Sequence, residues 1–180
     1  ADALPPSGPV AVGEVEVAGS LDAADVDGDG YDDLLVALPD GVQGGLRLWR
    51  KANEGWTSAL PDDVSGPAVG ARFVDFDNDG VFDVVAAGGQ GLRLLRGDST
   101  GVWREVTASA GLSAEPIVAV ELVDLDNEGD LDFCAGSERG VRLWQNRLDG
   151  TFREVSERSG LLGLERGIGQ IVVFDHDDDG

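Results

Sequence analysis

Basic residues are scarce in this chain. Its 180 residues hold 13 Lys and Arg against 35 Asp and Glu, a formal net charge of −22. Nucleic acid and anionic membrane surfaces both reward Lys and Arg, so neither is expected as a partner. Cations and basic surfaces are. There is one histidine, one tyrosine and one cysteine. An enzyme needs a base or nucleophile with a convincing partner, and no activated-nucleophile motif is present, so catalysis is not expected. The single cysteine, Cys134, cannot form an internal disulfide; it lies in the apolar stretch "LDFCAGS" and reads as a small buried hydrophobe. Long apolar runs are missing as well. Nothing approaches the ~20 residues that span a bilayer, so no membrane insertion is expected. The opening "ADALPPSGPVAV" lacks the basic start and long apolar stretch of a signal peptide, as a mature secreted chain also would.

What is present repeats. "DVDGDGYDD" at 25 returns as "DFDNDGVFD" at 75, as "DLDNEGDLD" at 124 and as "DHDDDG" at 175, with starts 50, 49 and 51 residues apart. A period this regular argues against a chance acidic stretch. The surroundings repeat too. After the loops come "LLVAL" at 34, "VVAAG" at 84 and "FCAGS" at 133. Alternating runs follow: "GLRLWRK" at 45, "GLRLLRG" at 91 and "GVRLWQN" at 140. A third set is "GWTSAL" at 55, "GVWREVT" at 101 and "GTFREVS" at 150; a fourth, before each loop, is "GSLDAA", "ARFVDF", "VAVELV" and "GQIVVF".

These runs are short, rich in Val, Leu and aromatics, and bounded by Gly, Asp, Asn and Ser, which is strand punctuation. The alternating "LRLW" runs suit a strand with one wet face, and the runs beside the loops suit strands covered on both faces. Four short antiparallel strands per unit at this period predict an all-β chain of β-propeller blades. Residues 14–180 would hold about three blades and the first strand of a fourth, with 1–13, carrying three prolines, as a linker or N-terminal extension. Only "SAGLSAEP" and "RSGLLGLERG" could hold a helical turn.

Each acidic loop would join the first strand of a blade to the second. Counted from its first aspartate, positions 1, 3, 5 and 9 carry carboxylates: Asp25, Asp27, Asp29 and Asp33; Asp75, Asp77, Asp79 and Asp83; Asp124, Asp126, Glu128 and Asp132. Position 6 is glycine in every copy: Gly30, Gly80, Gly129 and Gly180. Alternate carboxylates on a tightly curled backbone point toward one centre, and the glycine turn lets the position-7 carbonyl of Tyr31, Val81 or Asp130 face inward. Bare carboxylates this close repel one another. A hard cation with six to eight oxygen ligands resolves the repulsion, and Ca²⁺ fits better than Mg²⁺ or Zn²⁺. An EF-hand is excluded, because its position-12 Glu is replaced by Val36, Ala86 and Ala135 and the flanks read as strands. Loop 3 departs from the pattern, with Glu128 at position 5 and Asp130 at position 7; the longer Glu arm is expected to shift or weaken that site. Loop 4, with Asp175, Asp177 and Asp179, ends before positions 7 and 9 and is expected to bind poorly. His176 is expected to face outward.

At these residues the chain resembles the FG-GAP and VCBS repeats of calcium-binding β-propellers. "VRLWQNRLDGTFREVSERSGL" (141–161) is most similar to the repeats of cartilage acidic protein and its bacterial ASPIC/UnbV-type relatives, and "LRLLRGDSTGVWREVTASAGL" (92–112) follows the same plan. The resemblance implies an extracellular, periplasmic or cell-surface protein that binds other proteins or glycans through propeller loops. It also implies metal ligation by the carboxylates named above and by the carbonyls of Tyr31, Val81 and Asp130.

A closed propeller usually has four to eight blades, so the chain is expected to be part of a longer ring or to close by assembling with copies of itself. The expected function is a non-catalytic, calcium-stabilised binding or scaffold module. The alternative is a glycan-binding propeller, for which Trp49, Trp56, Trp103 and Trp144 are candidate platforms; a polysaccharide-active enzyme ranks behind both. Trp49 and Trp144 share a repeat position with Leu95, which favours packing between blades. Arg47, Arg93 and Arg142 alternate with the core leucines and are expected on the solvent side, pairing with acids of neighbouring strands.

Overall fold

The computed structural model of the chain describes residues 19–39, 45–53, 55–60, 66–112, 114–163, 168 and 170–174. The N-terminal extension, "VGEVEVA" (12–18), His176 and the fourth acidic loop lie outside these residues.

Among the described residues, twelve strands form three four-stranded sheets, each an antiparallel meander in chain order. Blade 1 holds β1 (Ser20–Ala24), β2 (Asp33–Ala37), β3 (Leu46–Ala52) and β4 (Gly55–Ser58). Blade 2 holds β5 (Gly70–Val74), β6 (Asp83–Gly88), β7 (Gly91–Arg96) and β8 (Arg104–Glu105). Blade 3 holds β9 (Ile117–Val123), β10 (Asp132–Ser137), β11 (Gly140–Asn146) and β12 (Phe152–Glu154). The one short helix, α1 (Ser156–Ser159), follows β12 among the described residues. The chain is therefore an all-β partial propeller of three blades. Residues 170–174 carry no strand, so the expected opening strand of a fourth blade is not formed there.

Blade 2 is packed on both faces, and β6 shows how the sequence arranges this. Strand side chains alternate between faces. Val84 and Ala86 join Leu35, Ala37, Leu46 and Leu48 of blade 1 in one core. Val85 and Ala87 join Ile117, Phe133, Ala135 and Trp144 of blade 3 in the other. A continuous apolar run is what such a strand requires, because neither face is wet. Phe133 and Phe152 stack at 4.4 Å within the second core. Trp144 is fully buried and Trp103 almost so, at 0% and 3% exposure, and Leu95 shares the first core with Trp103. Cys134 is buried, and burial pushes its thiol pKa up, as a packed hydrophobe requires.

Polar side chains bind neighbouring blades together at the innermost strands. The Ala71 amide donates to Ser20 Oγ (2.8 Å) and the Phe73 amide to Asp22 Oδ2 (2.9 Å). These bonds satisfy the free edge of β5. Asn146 Nδ2 donates to the Phe76 carbonyl (2.6 Å), joining blade 3 to the second acidic loop. Two of the three alternating-strand arginines pair with acids as expected, Arg93 with Glu105 (2.9 Å) and Arg142 with Glu154 and Glu115, whereas Arg47 donates to the Leu46 carbonyl (3.2 Å). Arg93 differs from expectation in lying buried, at 8% exposure, because it shares the face of its cross-strand partner Ala86, which packs against blade 1, with its guanidinium against Gly66.

Candidate metal centres

The three complete loops lie in a row at one end of the blades, each between a first and a second strand. Their backbones turn alike. Gly30, Gly80 and Gly129 at position 6 have φ of 88°, 81° and 87°, which only glycine adopts without strain. Position 4 is left-handed as well: Gly28, Asn78 and Asn127 have φ of 75°, 55° and 57°. Asparagine tolerates that region better than other side chains, so the Gly-or-Asn choice at position 4 is a turn signal that the sequence pattern held alongside the glycine at position 6.

The first aspartate organises the turn. Asp25 Oδ1 accepts from the amides of Gly28 (2.8 Å) and Asp29 (3.1 Å), and Oδ2 from Gly30 (2.8 Å). Asp75 accepts from Asp79 (3.0 Å) and Gly80 (2.9 Å), and Asp124 from Glu128 (3.1 Å) and Gly129 (2.8 Å). Asp29 and Asp79, at position 5, accept from the position-7 amides of Tyr31 and Val81, each at 2.9 Å.

The ninth residue does something that its place in the pattern did not announce. Asp33, Asp83 and Asp132 are each fully buried. One oxygen of each takes the position-2 amide: Val26 (3.2 Å), Phe76 (3.2 Å) and Leu125 (2.9 Å). The other takes an amide at the end of the third strand: Lys51 (2.7 Å), Gly97 (2.8 Å) and Asn146 (2.6 Å). This aspartate pins the loop to the sheet. Burial pushes all three carboxyl pKa values up, and Asp83 rises to about 7, against the opposing pull of its two amides. Asp77 is also pushed up, by burial first, with Arg96 opposing. Such groups ionise at neutral pH more readily when a cation is near.

The carboxylates converge, though not in the same set in each loop. In loop 1 oxygens of Asp25, Asp27 and Asp29 lie within 4.8 Å of one another; in loop 2 those of Asp75, Asp77 and Asp83; in loop 3 those of Asp124, Asp126, Asp130 and Asp132. Asp33 is outside the loop 1 group and Asp79 outside the loop 2 group. In loop 3 Glu128 is outside, and Asp130, expected to offer only its carbonyl, brings its side chain in. That carboxylate is 5% exposed, and its Oδ1 is buried with no hydrogen-bond partner. Asp77 Oδ1 is likewise buried and unpartnered. Buried carboxylate oxygens without donors are costly, and a hard cation is what this donor set fits.

Side chains of the third strand reach each cluster. Arg50 Nε lies 4.0 Å from Asp27, and Arg96 lies 2.6 Å from Asp77 and 3.1 Å from Asp79. The equivalent residue in blade 3 is Gln145, whose Nε2 donates to Asp126. Arg50 also lies over the Trp103 ring at 5.1 Å, crossing from blade 1 to blade 2. Gly101 leaves the room for it, since a Cβ there would meet the Arg50 guanidinium.

A model of the FG-GAP-like repeat matches residues 25–86, 75–135 and 124–180. The chain belongs to the FG-GAP-like repeat family. Each FG-GAP match starts on one acidic loop and runs through the next, so the family unit is the loop with the strands that follow it. No curated protein matches the chain. Among solved structures, a lectin of Agrocybe aegerita, described as recognising non-reducing terminal N-acetylglucosamine, is 19% identical with a TM-score of 0.48; the match covers 76% of this chain and 37% of that one.

Proposed function

We propose that this chain is a calcium-stabilised propeller segment of an extracellular or cell-surface protein, serving as a non-catalytic binding or scaffold module. The observation that carries the proposal is the threefold convergence of carboxylates on one turn geometry, with the buried Asp130 Oδ1 left without a donor. Oxygen-only ligation selects a hard cation, and extracellular calcium modules work at Kd values of about 10⁻⁴–10⁻³ M. The metal's task here is structural: it neutralises like charges that would otherwise push each loop open, and so holds the first and second strands of a blade together. Supporting this, two of the four tryptophans, Trp103 and Trp144, are buried in different cores and serve packing between blades.

Thermal unfolding with and without calcium tests the proposal. A site whose Kd lies ~100-fold below the calcium concentration adds ~2.7 kcal/mol to stability. The melting temperature is expected to fall by many degrees in excess chelator and to recover with calcium. An unchanged melting temperature would refute it.

A further inference from the structure

Loop 3 was the odd one of the three by sequence, with a longer acid at position 5. The structure gives it the most complete donor set. Four carboxylates converge there, against three in each of loops 1 and 2. The fourth is Asp130, almost wholly buried, with its Oδ1 buried and without a hydrogen-bond partner. Asp130 thus supplies from position 7 the side-chain oxygen that Glu128, outside the cluster, does not. The third-strand residue over the site differs as well. Loops 1 and 2 face guanidinium groups, Arg50 near Asp27 and Arg96 on Asp77 and Asp79. Loop 3 faces the neutral amide of Gln145 on Asp126. A guanidinium beside the carboxylates stands where a metal's charge would act. An incoming cation must displace it or bear its repulsion, and the half-exposed Arg96 side chain has room to swing away. An amide poses no such conflict.

We propose that the chain's cation sites are graded. Loop 3 is the high-affinity site, with the Asp130 carboxylate as a ligand in place of Glu128, and Arg96 and Arg50 act as built-in competing cations that weaken loops 2 and 1. This rests on the calcium function proposed above and ranks its sites. Calcium affinity follows ligand charge, and loop 3 leads there: it has one more converging carboxylate, and among the described residues no guanidinium pairs with its carboxylates.

Calcium titration of the full chain by isothermal calorimetry tests the ranking. The wild type is expected to show one site at least about tenfold tighter than the other two. Asp130→Asn is expected to weaken that site about tenfold or more, and Gln145→Arg to do the same from outside the ligand set. Glu128→Gln is expected to change it less than about threefold. Arg96→Gln is expected to tighten one of the weaker sites about tenfold, and it reads the ranking independently of whether Asp130 variants fold. Three sites of equal affinity, or a larger loss from Glu128→Gln than from Asp130→Asn, would overturn the ranking while leaving calcium binding in place. No heat of binding at millimolar calcium would overturn the calcium function itself, and the ranking with it.

Discussion

Loops 2 and 3 have nearly one backbone and two different interiors. Both turn through a left-handed Asn and a left-handed Gly, and both are pinned by a buried position-9 aspartate that takes one loop amide and one third-strand amide. Yet in loop 2 Arg96 pairs with Asp77 and Asp79, whereas loop 3 adds the Asp130 carboxylate and meets Gln145. The shared part is carried by residues that recur at fixed loop positions. The differing part is carried by positions that the repeat leaves free: position 7 and the outer end of the third strand. A repeat motif therefore prescribes that a loop of this shape forms, and the free positions set which carboxylates converge in it and what charge faces them.

The largest expected effect comes from removing what the two loops share. Asp83→Ala and Asp132→Ala each leave two backbone amides unpaired in a buried setting, at about 1–3 kcal/mol per amide. Both are expected to lower the unfolding free energy by several kcal/mol, in chelator as well as in calcium, by urea denaturation. If either variant were destabilised only in calcium, position 9 would act through the cation alone and not as a staple.

Next comes pH, where metal-free and metal-bound chains should part. Burial raises the Asp83 carboxyl to about 7, with Asp33, Asp77 and Asp132 raised too. A carboxyl raised in the folded state stabilises the fold below its unfolded value near 4 and loses that contribution as pH climbs through about 7. The metal-free chain should therefore melt higher at pH 5 than at pH 8. With calcium bound the ionised form is favoured and the order should reverse. Melting curves at both pH values, in metal-depleted buffer and in millimolar calcium, would show whether the slopes differ in sign.

A smaller effect separates the blades. Gly101→Ala puts a Cβ against the Arg50 guanidinium and adds strain at φ 77°. It should cost about 1–2 kcal/mol and free Arg50 from the Trp103 ring, seen as a change in tryptophan fluorescence. The smallest expected change is at Arg72 and Glu121, a half-exposed pair 3.9 Å apart. Arg72→Gln should shift stability by less than about 1 kcal/mol.

The strands were legible because each run is local. The alternating run of "LRLLRG" and the apolar run of "VVAAG" became β7 and β6 at the places expected. Weak runs were overestimated: "GVWREVT" yields only the two residues Arg104–Glu105 of β8, because Trp103 turns into the core instead of extending the strand. The candidate ligands were legible at positions 1 and 3, which enter all three clusters. What stayed hidden acts over distance in the chain. Asp33 holds Lys51 18 residues away, Asp22 holds Phe73 51 residues away, and Asn146 reaches Phe76 across 70 residues. Asp130 stayed hidden for another reason: the pattern asks only a carbonyl of position 7, and Tyr31 and Val81 bring no carboxylate there in the other loops.

The central claim is that the acidic loops hold calcium, and native mass spectrometry of the intact chain in millimolar calcium tests it most directly. The account predicts a chain that carries three calcium ions, lost together with the native charge-state distribution when chelator is added. A folded chain that comes through metal-free under both conditions would contradict it.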